Sequence, residues 1–445
     1  MTLTSRSTAC LQDFLRQPIH VLIAAVVTVV FCMAIFTSVA LTNIAVLGLV
    51  LVAPFAWRAC DKVEQPIAPE AKLFLALVFA LCVWDVCTNL LAGYSIGLSL
   101  KALLHDMRTL GFVLVLWAVF ANPNVARIAF WAICLSVLTL ASVNLFLTLI
   151  GDLPKGQYFT SRFHGMSHLS HMYGQALVGL FFVLAQMWLV RPRLSWRVVL
   201  PMALLLLSLF LASERRTGWL LLMAGFGVWG LLNAKRLFIG QHKWLFLSVL
   251  LTVGLLAVNS NVVQSRMALA LGEFNQYLAL SPQERSAAVF GSVSVRMQYA
   301  ATAFETIKQS NWWVGVGSIG FSQAYQEAAT SLKVTPQSWA TYNWGNPHNE
   351  YLYMLATKGV IGLVLYLAVF AQACRVAWQK TDEVQRVGLV MFVFLFMLSI
   401  TTNSMMIDME EGHFTLLILL IFLAPKTLNL SGPNTSDYLH KRVSA

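Results

Sequence analysis

The chain has 445 residues, of which 58% are hydrophobic and 11% are charged, and its mean hydropathy is +0.71. A soluble domain keeps a largely polar surface, so this composition excludes a soluble globular protein and indicates an all-α, polytopic membrane protein. The net charge of +11 is not gathered in a compact basic domain, so we expect no nucleic-acid partner.

Long apolar runs recur along the chain, and each is long enough to cross a bilayer core of about 30 Å as a helix. We predict about twelve transmembrane helices, with nine in residues 1–260 and three in residues 348–427. Between them lies a large loop at 261–347 with short helices, and a polar tail follows at 428–445. The predicted spans are 20–36, 38–56, 71–92, 104–121, 125–150, 168–190, 197–212, 217–233, 243–260, 348–371, 385–407 and 412–425.

The distribution of Lys and Arg predicts the orientation. With a cytoplasmic N-terminus, about 18 of them fall on the inner side and about seven, Lys358 among them, in the opposite short loops and span ends. Both termini are therefore predicted to be cytoplasmic, with the 261–347 loop outside. The inner charge also favours contact with anionic membrane lipids. The seven cysteines lie in apolar spans or on the inner side, which argues against a disulfide framework.

The first polar outer segment, 151–171, concentrates Arg162, His164, His168 and His171. His168 and His171 are spaced i, i+3 and would share one helix face, as two ligands of a transition metal could. No acidic or cysteine ligand is adjacent. Hydrogen bonding at the interface or contact with substrate is therefore the preferred interpretation, and we predict no metal site.

A second outer turn carries Glu214, Arg215 and Arg216. Two outer arginines run against the inside bias of positive charge, so they need compensation. One interpretation is pairing with Glu214 together with snorkelling to lipid phosphates. The other is a pair of guanidinium groups that bind a substrate phosphate, since Arg matches phosphate geometry in a bidentate manner.

In the large loop, Arg266 falls at the end of a span, and the apolar rhythm of 295–307 predicts a helix that carries Arg296. Residues 315–320 match the dinucleotide pattern G-x-G-x-x-G, but they lie in an outer loop without a βαβ unit. We interpret them as a glycine-rich turn that leads into a helix.

His348 ends the loop, and an imidazole there can accept a proton from a hydroxyl. A helix start without a catalytic role is the alternative. The acidic run 408–413 is interpreted as a solvated turn, with a divalent ion as the less favoured alternative.

Residues 347–352 (Pro-His-Asn-Glu-Tyr-Leu) and 358–363 (Lys-Gly-Val-Ile-Gly-Leu) resemble the HNxxL…GxxGL pattern of the O-antigen ligase superfamily. Residues 213–220 resemble its SxxRTGxL turn, with Arg216 at the family arginine. Arg296 followed by Gly315-Val316-Gly317 resembles its Arg…GxG segment. Lys358 stands where an acidic residue is expected, which indicates a diverged member.

The resemblance implies a metal-independent glycosyltransferase of the GT-C-like class, without a cofactor, at the periplasmic face of a bacterial inner membrane. The donor would be a polysaccharide on undecaprenyl pyrophosphate, and the acceptor a hydroxyl of lipid A–core oligosaccharide. His348 would be the catalytic base, with Arg216 and Arg296 at the departing pyrophosphate. Helper arginines would be Arg215, Arg162 and Arg266, and the residues that contact the acceptor or support the site would be Asn349, His164 and Tyr351.

Three alternatives stay open. An O-antigen polymerase shares the donor but extends another lipid-linked glycan, and a protein-targeting O-oligosaccharyltransferase modifies a polypeptide. A transporter of lipid-linked glycan would need charged residues within the membrane, for which Asp85 in the third predicted span is the clearest candidate.

Overall fold

The computed structural model describes residues 17–60, 69–152, 170–191, 195–212, 216–239, 261–281, 284–285, 291–334, 345–406, 409–424 and 428–430, with isolated positions between 247 and 259. The regular elements in these ranges are helices. They are α1 (Ile19–Ala34), α2 (Val39–Cys60), α3 (Pro69–Leu91), α4 (Ile96–Thr109), α5 (Phe112–Phe120), α6 (Pro123–Leu149), α7 (Ser170–Val190), α8 (Ser195–Leu207), a π-helical turn (Ser208–Ala212), α9 (Arg216–Leu232), α10 (Ala234–Ile239), α11 (Asn261–Ala279), α12 (Ser292–Gln309), α13 (Phe321–Ser331), α14 (Glu350–Trp378), α15 (Glu383–Ser399) and α16 (Met409–Leu423).

Five of the described helices are long and apolar enough to cross a membrane, namely α2, α3, α6, α7 and α14. Helices α1, α9 and α16, and α8 with its π-helical turn, are apolar but shorter. Large side chains such as Ile44, Phe79 and Leu231 are exposed on the outside of the bundle, as contact with lipid tails requires. The all-helical architecture is thus confirmed, while the number of twelve spans stays a prediction. The predicted span 243–260 lies almost entirely outside the described residues.

The predicted fourth span, 104–121, is wrong as a single helix. The chain instead forms the polar helix α4 and the apolar helix α5, which meet at residues 110–111. The physical reason is the difference in polarity: α4 carries Lys101, His105 and Asp106, whereas α5 is apolar throughout and is largely buried.

Two helices of the large loop, α12 and α13, pack against the beginning of α14, and α11 packs against α12. Helix α12 confirms the predicted helix at 295–307, and Ala303 and Ile307 on its buried face contact Phe321 of α13 and Leu352 of α14. Phe304 departs from the predicted face, since it is 50% exposed. The loop thus has a small apolar core of its own, which is shared with the helix that follows it.

Helix α14 is interrupted at Gly359, where φ is 65° and ψ is −170°. The loop segment 312–317 inserts at this break and exchanges backbone hydrogen bonds with the helix. The N–H groups of Val316 and Gly317 donate to the carbonyls of Ala356 and Thr357, both at 2.9 Å. In return, the N–H groups of Val360 and Ile361 donate to the carbonyls of Trp312 and Trp313, at 2.9 and 3.5 Å. The broken helix therefore keeps its polar backbone groups satisfied, as burial requires.

The same junction explains the glycine motif. Gly315 and Gly317 both have φ of +77°, and a Cβ on Gly315 would lie 2.6 Å from the carbonyl oxygen of Ala356. Gly320 ends the motif directly before α13. The interpretation as a glycine-rich turn leading into a helix is confirmed, because the glycines serve a close approach between two backbone segments.

A buried ion cluster lies beside the break. Lys358 is 2% exposed, its Nζ donates to the Asp85 carboxylate, and a second hydrogen bond of 3.2 Å reaches the Asp106 carboxylate. Ser318 donates to Asp85 at 2.9 Å and so ties the loop to α3. Lys358 was predicted as an outer boundary charge. It is instead an internal partner of two carboxylates, because the bundle brings α3 and α4 against α14.

Candidate functional site

The candidate site is centred on His348, whose backbone is held in an unusual conformation. Its φ is 50°, in the left-handed region that residues other than glycine seldom occupy. The side chain of Asn346 accepts a hydrogen bond from the His348 N–H at 2.8 Å and closes a tight turn around Pro347. Strained backbone of this kind is concentrated at functional sites.

Asn349 then starts α14. Its side chain accepts from the Leu352 N–H at 3.0 Å as an N-cap, and its amide donates to the Thr401 carbonyl at 2.9 Å. The Tyr351 hydroxyl donates to the Met397 carbonyl at 2.8 Å. These two predicted site residues therefore attach the turn and the first residues of α14 to the end of α15. The backbone that carries His348 is held in place by these hydrogen bonds.

The imidazole of His348 is held by contacts from two other parts of the fold. The ring of Tyr299 on α12 stacks on it with a centroid distance of 5.2 Å and an interplanar angle of 21°. Nδ1 lies 3.4 Å from Oδ1 of Asn403, which follows α15. The Asn403 amide donates to a carboxylate oxygen of Glu411 at 2.8 Å. A His–Asn–Glu chain therefore leads from the site into the bundle.

Glu411 corrects the interpretation of the acidic run. Glu411 and His413 are each 1% exposed and belong to the beginning of α16, not to a solvated turn. They are buried because α16 packs against α5 and α15, and the ring of His413 makes an edge contact with Phe112. Asp408, the first residue of the run, lies outside the described residues.

Arg296 is half-buried on α12, one turn before Tyr299, and donates to Ser292 at 3.2 Å. Burial raises the pKa of the Tyr299 phenol, and the positive charge of Arg296 offsets part of that rise. Arg296 and Tyr299 are three residues apart on α12, so the guanidinium belongs to the same helix turn as the ring that covers His348. The structure therefore brings together two of the residues predicted from sequence, His348 and Arg296.

The remaining predicted cations are described only in part. Arg216 is the first residue of α9, and its side chain lies outside the described part of the chain, as do Arg215, Arg162 and His164. Arg266 is half-buried on α11, which packs against the helix of Arg296. The roles of these residues stay predictions.

Three residues of the site were missed from sequence. Tyr299 was assigned only to an apolar helix face, Asn403 fell inside the predicted span 385–407, and Glu411 was assigned to a solvated turn. A signal was present at Asn403, since Thr401, Thr402, Asn403 and Ser404 form a polar cluster in an otherwise apolar run.

The comparison with known protein families agrees with the motifs. A family model described as O-antigen ligase matches residues 201–367. The match covers Arg216, Arg296, the glycine turn, the break at Gly359 and His348. No curated protein matches the chain.

Proposed function

We propose that this chain, whose residues 201–367 match the O-antigen ligase family model, acts as a member of that family and transfers polysaccharide from undecaprenyl pyrophosphate to a hydroxyl of lipid A–core oligosaccharide. The observation that carries the proposal is centred on His348, which lies inside the matched region. A strained histidine, stacked on Tyr299 and hydrogen-bonded to Asn403, lies next to an arginine-bearing helix. This arrangement suits a base that meets an anionic substrate.

The arginines act on the leaving group. Cleavage of the bond between sugar and phosphate leaves growing negative charge on the pyrophosphate, and Arg296 and Arg216 stabilise it with Arg215, Arg162 and Arg266 as helpers. One preorganised donor of this kind is typically worth about 3–4 kcal/mol in the transition state. Guanidinium groups do this work without a metal ion, because they pair with phosphate oxygens in a bidentate manner.

His348 acts on the acceptor. Its imidazole takes the proton of the attacking sugar hydroxyl, a contribution of roughly 10²–10⁴-fold to the rate. The oxygen attacks the anomeric carbon as the bond to phosphate breaks, and no covalent intermediate with the protein forms. A single displacement inverts the anomeric configuration.

The proposed location is the periplasmic face of a bacterial inner membrane, with both termini in the cytoplasm and the 261–347 loop outside. The charge bias of the sequence and the requirements of a lipid-linked donor support this placement. The apolar helices support a bundle of about twelve spans that lies among membrane lipids.

The transporter alternative depended on Asp85 as a charge within the membrane. Asp85 has an internal partner in Lys358, so its presence in α3 is accounted for without a transported ion. A polymerase or a protein-targeting transferase would use the same donor, and the acceptor distinguishes them from a ligase.

The deciding experiment offers purified protein the undecaprenyl-pyrophosphate-linked glycan and lipid A–core in EDTA. A glycan-bearing lipopolysaccharide, lost in His348→Ala and in Arg216→Ala at equal protein amounts, is the expected result. Lengthening of glycan on the polyprenyl carrier would identify a polymerase, and a product that survives both substitutions would contradict the assigned roles.

A further inference from the structure

The His–Asn–Glu chain has a defined direction. Its central residue, Asn403, is 4% exposed and faces an imidazole on one side and a carboxylate on the other. The NH₂ group of Asn403 faces Glu411 and donates to its carboxylate; with Glu411 ionised this is the only orientation that makes a hydrogen bond, since an ionised carboxylate only accepts. The opposite orientation would bring the amide oxygen against a carboxylate oxygen and lose the bond.

The direction of the amide decides which nitrogen of His348 carries a proton. With its NH₂ group on Glu411, Asn403 presents its carbonyl oxygen to Nδ1 of His348. A carbonyl only accepts, so Nδ1 must be the protonated nitrogen of the neutral ring. The lone pair is then on Nε2, at the other end of the imidazole.

We propose that Glu411 and Asn403 are positioning residues that fix His348 in its Nδ1–H tautomer and so reserve Nε2 as the base for the acceptor hydroxyl. This inference rests on the proposed function for its catalytic part. A hydrogen bond to one ring nitrogen generally sets the role of the other. Here an amide stands between the histidine and the carboxylate, so the negative charge acts on the ring from one residue away.

Other charged or titratable groups surround the chain of hydrogen bonds. Glu350 is fully buried at the start of α14, and its carboxylate accepts from the Met406 N–H at 3.1 Å. Among the described side chains, Tyr299 stacks on His348 and Arg296 lies one turn away on the same helix. Glu350 and His413 are each two residues from a member of the chain, on α14 and α16. Because the substitutions below leave these groups in place, a changed pH profile reports the loss or movement of the Glu411 charge.

The first test measures transfer kinetics of full-length Glu411→Gln. A glutamine can present either its oxygen or its NH₂ group to Asn403, so the amide is no longer forced into one orientation. We expect kcat to fall about 10- to 100-fold, part of the roughly 10²–10⁴-fold that a general base supplies, with KM unchanged. The acid limb of the pH–rate profile moves to lower pH, because the imidazolium loses a nearby negative charge.

Thr415→Val is the matched control. The Thr415 hydroxyl is fully buried one turn further along α16 and donates to the backbone carbonyl of Glu411 at 2.9 Å. Its removal disturbs the same helix without touching the His–Asn–Glu chain. We expect wild-type kinetics and a wild-type pH profile.

A rescue separates positioning from simple stability. Adding Asn403→Asp to Glu411→Gln moves the carboxylate directly onto Nδ1–H, as in a Ser-His-Asp triad. We expect the double variant to recover most of the lost kcat, with its acid limb at or above the wild-type pH. Should Glu411→Gln fail to fold, Asn403→Asp alone carries the test, with an active enzyme and an upward shift of the acid limb expected.

Two kinetic results would overturn the inference. One is wild-type kcat and pH dependence in Glu411→Gln, and the other is a double variant no better than the single one. The tautomer is also read without catalysis, by ¹⁵N NMR of histidine-labelled full-length protein, with His348→Ala for assignment. A neutral His348 protonated at Nε2 refutes the inference. Absence of transfer by the wild-type protein refutes the proposed function instead, and leaves the NMR result to decide the positioning role.

Discussion

Gly359→Ala tests the junction between the loop and α14. In an ordinary helix this substitution stabilises by roughly 0.5–1 kcal/mol, because alanine has less backbone freedom to lose. At Gly359 the sign reverses, since φ is +65° and an added Cβ would overlap the backbone carbon and oxygen of Trp313. Both atoms belong to the backbone, so no rotamer change relieves the overlap and the loop segment must move.

The magnitude follows from the contacts at the junction. With φ of 65° and ψ of −170°, Gly359 has a conformation essentially restricted to glycine, which costs alanine about 1–3 kcal/mol. Four exchanged hydrogen bonds at about 0.5–1.5 kcal/mol each add about 2–6 kcal/mol when the loop is displaced. The expected loss is therefore on the order of 3–9 kcal/mol, a large part of the roughly 5–15 kcal/mol typical of a folded domain.

Thermal unfolding and limited proteolysis of detergent-purified protein measure this loss, with cleavage mapped across residues 310–334. Gly227→Ala in α9 is the matched control, since its added Cβ meets nothing within 4 Å and the site is helical and exposed. We expect Gly359→Ala to lower the unfolding midpoint and to expose the loop to protease, while Gly227→Ala keeps or raises the midpoint. Equal midpoints and equal digestion of Gly359→Ala and wild type would refute the reasoning.

Three further predictions concern packing and charge. Lys358→Met leaves the buried Asp85 and the partly buried Asp106 without their cation and should cost about 3–5 kcal/mol in the free energy of unfolding. Adding Asp85→Asn should recover part of this loss, and strictly additive losses in melting experiments would argue against coupling. Tyr299→Phe keeps the ring stack on His348 and should transfer glycan at a near wild-type rate. Tyr299→Ala should lower the transfer rate about 2- to 10-fold, as expected for an aromatic contact of about 0.5–1.5 kcal/mol. Equal rates in the two variants would show that the stack is not needed. Burial lowers the pKa of Lys380 to about 8, below its unfolded value of about 10.4. The unfolded chain therefore binds more protons between these pH values, and the free energy of unfolding should rise with pH there. In chemical denaturation Lys380→Met should flatten this rise, and an unchanged slope would contradict the assignment.

The parts of the site that were predictable from sequence are those with a local signal. His348 stood out as a polar residue at the end of a loop before an apolar run, and Arg296 belonged to a helix whose apolar rhythm is clear. Both depend on neighbours within a few residues. The helix at 292–309 and most of the apolar helices were found for the same reason, since period and length are local properties.

The parts that were missed depend on long-range packing. Lys358 was counted as a boundary charge because its partner Asp85 lies 273 residues earlier. Asn403 and Glu411 lie 55 and 63 residues after His348, and Glu411 is buried because α16 packs against helices from distant parts of the chain, among them α5 and α15. Hydropathy predicts that an acidic residue is exposed to solvent, and a single sequence does not show that a distant amide will donate a hydrogen bond to it.

The backbone hydrogen bonds exchanged at Gly359 limit where chimeras of this protein can be joined. The carbonyls at 356–357 and the N–H groups at 360–361 find their partners in 312–317, so loop and helix form one indivisible module. A chimera that takes the outer loop from one relative and the following helix from another divides this module. Functional chimeras should therefore have their crossover points before residue 312 or after residue 361, where both halves of the junction are inherited together.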